Sequence, residues 1–228
     1  MGIVSLSNVL KRFSADGEMN ILFENMNLQV NEGEVVVITG GSQTGKSTLL
    51  HMIAAMTPAN KGTVEVFGQN LVTIKERPKW RLENIGLVTD EGCLLPYLTV
   101  KQNLLLGTDR SEADYPLKEA QAHRILEGLG FSSESVNETL EGLTSKEQIL
   151  ATIGRIFMTN PKLILADEPG KRLSGPEGEE VIRGMFQFAR SNGSTVIAVS
   201  NDPGIIKKAD RLLRLENRKL VEVQEAAG

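Results

Sequence analysis

At 228 residues, with a formal net charge of −4, 40% hydrophobic and 24% charged residues, the chain has the composition of a folded domain and not of a disordered or membrane-spanning one. No apolar run approaches the roughly 20 residues that cross a bilayer, and Met1 to Asn8 lacks the basic flank and apolar stretch of a signal peptide. The acidic balance argues against a general nucleic-acid role, while the single cysteine, Cys93, excludes an internal disulfide and fits a reducing compartment, with the cytoplasm as the default.

Residues 3 to 30 read as β-structure: Asp16-Gly17 supplies a turn, and Met26, Leu28 and Val30 alternate with polar residues as in a half-buried strand. A turn at Asn31-Glu32-Gly33 feeds a β-branched run, Val35 to Thr39, expected as a buried strand. Ser47 to Ala55 then reads as a helix. Val64 and Val66 mark a short strand ending at Gly68. From about Arg77 to Thr144 the texture is mostly helical, with Ala122, Ile125, Leu126 and Leu129 on one face and Gly130 placed to end that helix. Thr144 and Glu147 form a capping box for a helix striped by Ile149, Leu150, Ile153, Ile156 and Phe157. Leu163 to Pro169 and Thr195 to Ser200 read as further strands around a helix from about Pro176 to Arg190. Leu212–Leu215 and Leu220–Val223 read as a closing hairpin, with Asn217 suited to left-handed geometry.

The chemistry concentrates in Gly40-Gly41-Ser42-Gln43-Thr44-Gly45-Lys46-Ser47-Thr48. Its first eight residues match Gly-x4-Gly-Lys-Ser/Thr, a loop whose backbone N–H groups and following helix N-terminus surround nucleotide phosphates. The strand before it and the helix after it supply the required context. Lys46 is expected on the β/γ-phosphates and the Ser47 hydroxyl on Mg²⁺. Much later, four apolar residues run into Asp167 and Glu168, placing two carboxylates at the C-terminal end of a buried strand, where open α/β sheets bind ligands. Asp167 suits a water-mediated hold on Mg²⁺, and Glu168 suits polarising an attacking water. Ser200-Asn201-Asp202-Pro203 lacks the Asn-Lys-x-Asp pattern that reads guanine.

These pieces, with the segment Leu94 to Asn103 and their common order and spacing, resemble the ATP-binding subunits of ABC transporters over nearly the whole chain, most closely the lipoprotein-releasing, macrolide-export and cell-division branch. The resemblance implies an α/β fold: a P-loop NTPase core, with a parallel sheet flanked by helices, an N-terminal antiparallel β subdomain and an inserted helical subdomain. One ABC-type domain would cover 1–228, with 1–90 and 156–228 as core and 91–155 as the helical part. It further implies ATP and Mg²⁺ as cofactors, a head-to-tail homodimer or heterodimer of ATP-binding subunits, transmembrane permease subunits on separate chains, no nucleic acid, and a peripheral place on the cytoplasmic face of the cell membrane. Phe13 falls where an adenine-stacking aromatic is expected, and equally suits a strand-end core position. Glu91 to Tyr97 would touch a membrane partner or fold in as a loop.

Several positions depart from the family pattern. The signature that would face the partner's ATP, Leu-Ser-Gly-Gly-Gln, falls on Leu143-Thr144-Ser145-Lys146-Glu147, with side chains where two glycines allow close backbone approach. The glutamine expected to contact Mg²⁺ is Asp90, which can still ligate the metal. The histidine expected near the γ-phosphate is Asn201, which can hydrogen-bond but cannot carry a proton. The aspartate expected after Glu168 is Ser174, and Gln43 replaces a loop glycine. Groups binding Mg-ATP within the chain are intact, while those completing the dimeric transition-state arrangement are altered. Slow hydrolysis is expected, or else a non-hydrolysing regulatory subunit.

Overall fold

The computed structural model describes residues 2–15, 18–89, 92–171, 173 and 176–223. In strand β3 (Val35–Gly40), following the N-terminal strands β1 (Gly2–Ala15) and β2 (Glu18–Asn31), the four residues Val35 to Ile38 are fully buried. Val35 and Val37 enter one core and Val36 and Ile38 another, because successive strand side chains point to opposite faces. A strand whose first four residues are apolar and β-branched is thus covered on both sides, and it fixes the middle of the molecule.

The remaining elements follow as α1 (Lys46–Ile53), β4 (Lys61–Val66), β5 (Gln69–Asn70), α2 (Arg77–Asn84), β6 (Ile85–Val88), α3 (Val100–Leu104), α4 (Tyr115–Gly128), α5 (Ser145–Phe157), β7 (Leu163–Asp167), α6 (Pro176–Ser191), β8 (Thr195–Val199), α7 (Pro203–Ile206), β9 (Arg211–Glu216) and β10 (Lys219–Glu222). A six-stranded sheet runs in the order β10-β9-β3-β8-β7-β6, parallel except for the β9–β10 hairpin. That hairpin turns on Asn217 and Arg218, both left-handed with φ of 48° and 66°, the geometry of a primed two-residue turn. A second, antiparallel sheet has the order β2-β1-β4-β5. The expected turn at Asp16-Gly17 lies outside the described residues.

One core joins α1 and the antiparallel sheet to one face of the six-stranded sheet, through residues such as Leu49, Ile53, Met26, Leu163 and Ile197. The other core joins α3 to α6 to the opposite face, through Val100, Leu126, Ile153, Phe186, Ile164 and Val196. The stripes of α4 and α5 are therefore core: Ala122, Ile125 and Leu126 are buried, as are Leu150, Ile153, Ile156 and Phe157. No helix among the described residues is long and apolar enough to cross a membrane.

Candidate functional site

The parallel strands deliver their C-terminal ends to one edge of the sheet. Since β8 lies between β3 and β7, the loop after β3 and the acids ending β7 sit two strand spacings apart, about 10 Å. Ligands of open α/β sheets occupy this edge.

The loop after β3 leads to Gly45, the N-cap of α1, at φ 101°, a conformation that any Cβ would strain. A Cβ there would also lie 2.9 Å from the Phe23 ring, so glycine lets the loop rest on the buried β2 aromatic. Gln43 is itself left-handed at φ 60°, which explains why a glycine suits that position and shows this chain tolerating the strain. No side chain caps α1, and its first turn holds no acidic residue. Its leading N–H groups and positive dipole end are therefore left to an anion. Lys46 is buried and donates to the carbonyl oxygens of Gly40 (3.0 Å) and Gly41 (2.7 Å), while Thr44 Oγ1 donates to Gly41 O (3.0 Å). Ser47 is exposed on the first turn.

At the end of β7, Asp167 pairs with Val199 of β8 and is half-buried. Glu168 is left-handed at φ 45°, its N–H donating to Val199 O (3.0 Å) and its carboxylate 2.7 Å from Lys171 Nζ. A non-glycine residue held there stores strain that surrounding structure must offset, as is common at working sites. A cleft of about 270 Å³ opens beside it, lined by Glu168, Gly170, Lys171, Ser200, Asn201 and Asp202. Asn201 turns its amide to β3: Oδ1 accepts from Thr39 Oγ1 and from Gly40 N (3.1 Å), and Nδ2 donates to Gly40 O (3.1 Å).

The segment Thr144 to Glu147 stands apart from this edge, at the start of α5 and against α6. Both halves of the expected capping box form, with Glu147 accepting from Thr144 N and Oγ1 (2.8 Å each) and its own N–H donating to Thr144 Oγ1 (3.3 Å). The α5 N-terminus thus holds the chain's own carboxylate, where α1 holds none. Lys146 is also committed, pairing with Glu180 of α6 at 2.7 Å across a cleft of about 640 Å³. The hydrogen bond from Lys146, then its charge, keeps the Glu180 carboxyl below its ordinary value.

Phe13 pairs with Asn20 on the β1–β2 hairpin, is 44% exposed, and carries the Lys11 ammonium 4.6 Å over its ring. Lys11 also donates to Thr57 Oγ1 and Pro58 O, and burial draws its pKa below the usual lysine value. Asp90 and Ser174 lie outside the described residues. The structure therefore brings Gly40 to Thr48, Asp167, Glu168 and Asn201 to one edge, with Thr144 to Glu147 elsewhere.

One residue of the Leu94–Asn103 segment carries more than sequence reasoning assigned. Asn103 is fully buried at the C-terminal half of α3, where Oδ1 accepts from Leu95 N (2.7 Å) and Nδ2 faces the carbonyls of Leu95, Leu98 and Thr99 at 3.1 to 3.2 Å. It ties down the preceding loop, in which Leu94 packs on the core, Arg155 donates to Cys93 O (2.8 Å) and Tyr97 is 73% exposed. Replacing Asn103 with isosteric Leu removes the partner of Leu95 N and of Leu98 O, whereas Leu95 O and Thr99 O keep backbone donors, and an expected loss of about 1–3 kcal/mol follows in urea denaturation. An asparagine between Gln102 and Leu104 gives no periodic signal of this, since its partners are set by how the loop folds back.

Comparison with known proteins bears on this edge directly. Residues 23–171 match the family model described as ABC transporter. The chain is 30% identical over 95% of its length to the putative hemin import ATP-binding protein HrtA of Staphylococcus haemolyticus, covering 98% of that protein. It is 31% identical over 96% of its length to the macrolide export ATP-binding/permease protein MacB of Salmonella typhimurium, of which it spans 34%. Among solved structures, the dimeric post-hydrolysis state of the ATP-binding cassette MJ0796 bound to ADP and Pi superimposes with a TM-score of 0.84 at 27% identity, covering 97% of this chain and 98% of that one. CbiO1 of Clostridium perfringens shares the fold, with a TM-score of 0.86 at 17% identity over 96% of this chain and 87% of its own.

Proposed function

Since the chain belongs to the ABC transporter family as an ATP-binding subunit, we propose that it binds Mg-ATP at the edge formed by β3, β8 and β7 and hydrolyses it slowly to drive separate transmembrane subunits. The observation that carries this reading is the bare N-terminus of α1, uncapped and free of acidic residues, with the buried ammonium of Lys46 beside it. Phosphates fit that arrangement in charge and in donor direction. The hard oxygens of Ser47 and Asp167 suit Mg²⁺, which when bound would neutralise charge on the β- and γ-phosphates, with Asp90 as a further oxygen donor.

In this reading Gly40 to Thr48 hold the phosphates through backbone N–H groups and Lys46 draws charge from the departing diphosphate. Glu168 orients a water and accepts its proton as oxygen attacks the γ-phosphorus and the bond to the β-phosphate oxygen breaks. Phe13, exposed on its hairpin, stacks on the adenine. Residues 91–155 form a helical arm whose Tyr97 end faces the permease. HrtA, covered over 98% of its length, is named an import ATP-binding protein, and MacB an ATP-binding/permease protein; these names support work beside permease subunits, and hence a peripheral position at the cytoplasmic membrane face.

A second reading is a non-hydrolysing subunit of a heterodimer, favoured by one observation: Glu147 already fills the α5 N-terminus that the proposed dimer would turn toward a partner's phosphates. Affinity for ADP and ATP and Mg-ATP turnover, measured on the full chain at concentrations that allow pairing, separate the readings. Binding with turnover supports the motor, binding without turnover supports the regulatory subunit, and the absence of binding overturns both.

A further inference from the structure

Asn201 sits at the end of β8, within the cleft beside Glu168, yet its amide is spent on β3. The backbone of Gly40 dictates its orientation: an N–H must meet an oxygen and a carbonyl must meet an N–H, so Oδ1 faces Gly40 N and Nδ2 faces Gly40 O. The Thr39 hydroxyl then donates to the same Oδ1. The Gly40 carbonyl is shared, since Lys46 Nζ also donates to it at 3.0 Å. A continuous path therefore runs from Asn201 through Gly40 to the one ammonium group the loop contains. Gly40 has little room of its own, because a Cβ there would come within 2.8 Å of Leu215 O on β9.

We infer that Asn201 is a positioning residue that pins the first glycine of the phosphate loop and, through the Gly40 carbonyl, aims Lys46 at the phosphates common to ADP and ATP. This deepens the proposed nucleotide site and rests on that reading. It differs from a contact with the γ-phosphate in which nucleotides feel it. A pin acts before any nucleotide arrives and serves both equally, whereas a γ-phosphate contact serves ATP alone. Few other side chains can take the place. Aspartate would set a second acceptor against the Gly40 carbonyl, and the donor and acceptor nitrogens of histidine point apart, so they cannot both meet one backbone residue.

The test compares the full wild-type chain with Asn201→Ala, Asn201→His and Thr39→Val by calorimetric titration with Mg-ADP and with a non-hydrolysable ATP analogue. Asn201→Ala is expected to weaken both nucleotides together by roughly ten-fold, with their ratio preserved. Asn201→His should do the same, and the effect of Thr39→Val should vanish once Asn201 is already alanine. Weakening confined to the ATP analogue, or no weakening of either, overturns the inference. A urea midpoint for each variant separates a pinned loop from a damaged fold.

Amide exchange at Gly40 in nucleotide-free protein decides the matter independently. Faster exchange in Asn201→Ala than in wild type supports the pin, and equal exchange overturns it. A wild-type chain that binds neither nucleotide would sink the proposed function, while this second measurement would still decide the pin.

Discussion

Glu168→Gln is expected to reduce Mg-ATP turnover by at least about 10²- to 10³-fold while leaving nucleotide affinity within about two-fold. The substitution keeps shape and hydrogen-bonding reach and removes the charge and the proton-accepting ability. The backbone strain is common to both side chains, because φ 45° at this position is set by the bond from Glu168 N to Val199 O and by the turn that follows. The ion pair with Lys171 is lost, but both partners are partly exposed, and such pairs are worth about 0–1 kcal/mol, so the urea midpoint should barely move. Lys46→Ala provides the contrast: it removes an ammonium from a buried position in the loop, and binding and turnover should fall together. A Glu168→Gln variant with wild-type turnover would remove Glu168 from the chemistry.

Restoring the family signature should act in the opposite direction. With Thr144→Ser, Ser145→Gly, Lys146→Gly and Glu147→Gln combined, turnover is expected to rise by about 10²-fold if the chain pairs with itself, the value of a preorganised donor aimed at developing charge. Two obstacles are removed together. The carboxylate that fills the α5 N-terminus becomes a neutral amide able to keep the reciprocal cap, and the lysine held by Glu180 is replaced by a residue without a side chain. Two glycines in the first turn lower stability by about 1–2 kcal/mol, visible in the urea midpoint. Glu147→Gln alone isolates the charge. No gain from either variant, with nucleotide still bound, would place the working signature on a different partner chain.

The elements that a sequence reveals here are those whose causes are local. Val35 to Gly40 announces itself by four apolar β-branched residues in a row, and the α5 cap by Thr144 and Glu147 three positions apart. Glu147 shows the limit of that reading. Its capping role and, by the resemblance, its place facing a partner's ATP are separate expectations in sequence; the structure shows the first, with the carboxylate accepting from Thr144 N and Oγ1. The partners of Asn201 lie 161 positions away at Gly40, and that of Lys146 lies 34 away at Glu180. No periodicity carries such distances. The left-handed turn at Gln43 is hidden for another reason: the pattern leaves that position free, and glutamine gives no hint of φ 60°.

The strand order has a consequence for how the protein is made. Among the described residues β3 pairs only with β8 and β9, so the strand bearing the phosphate loop waits for neighbours encoded from Thr195 onward. At about 5–20 residues per second, the stretch from Gly40 to Thr195 leaves the ribosome over roughly 8–30 s. During that interval an apolar strand with two open edges must be kept from pairing with strangers. Nucleotide gives little rescue, because the proposed site also draws on Asp167, Glu168 and Asn201, which are made long after Gly40.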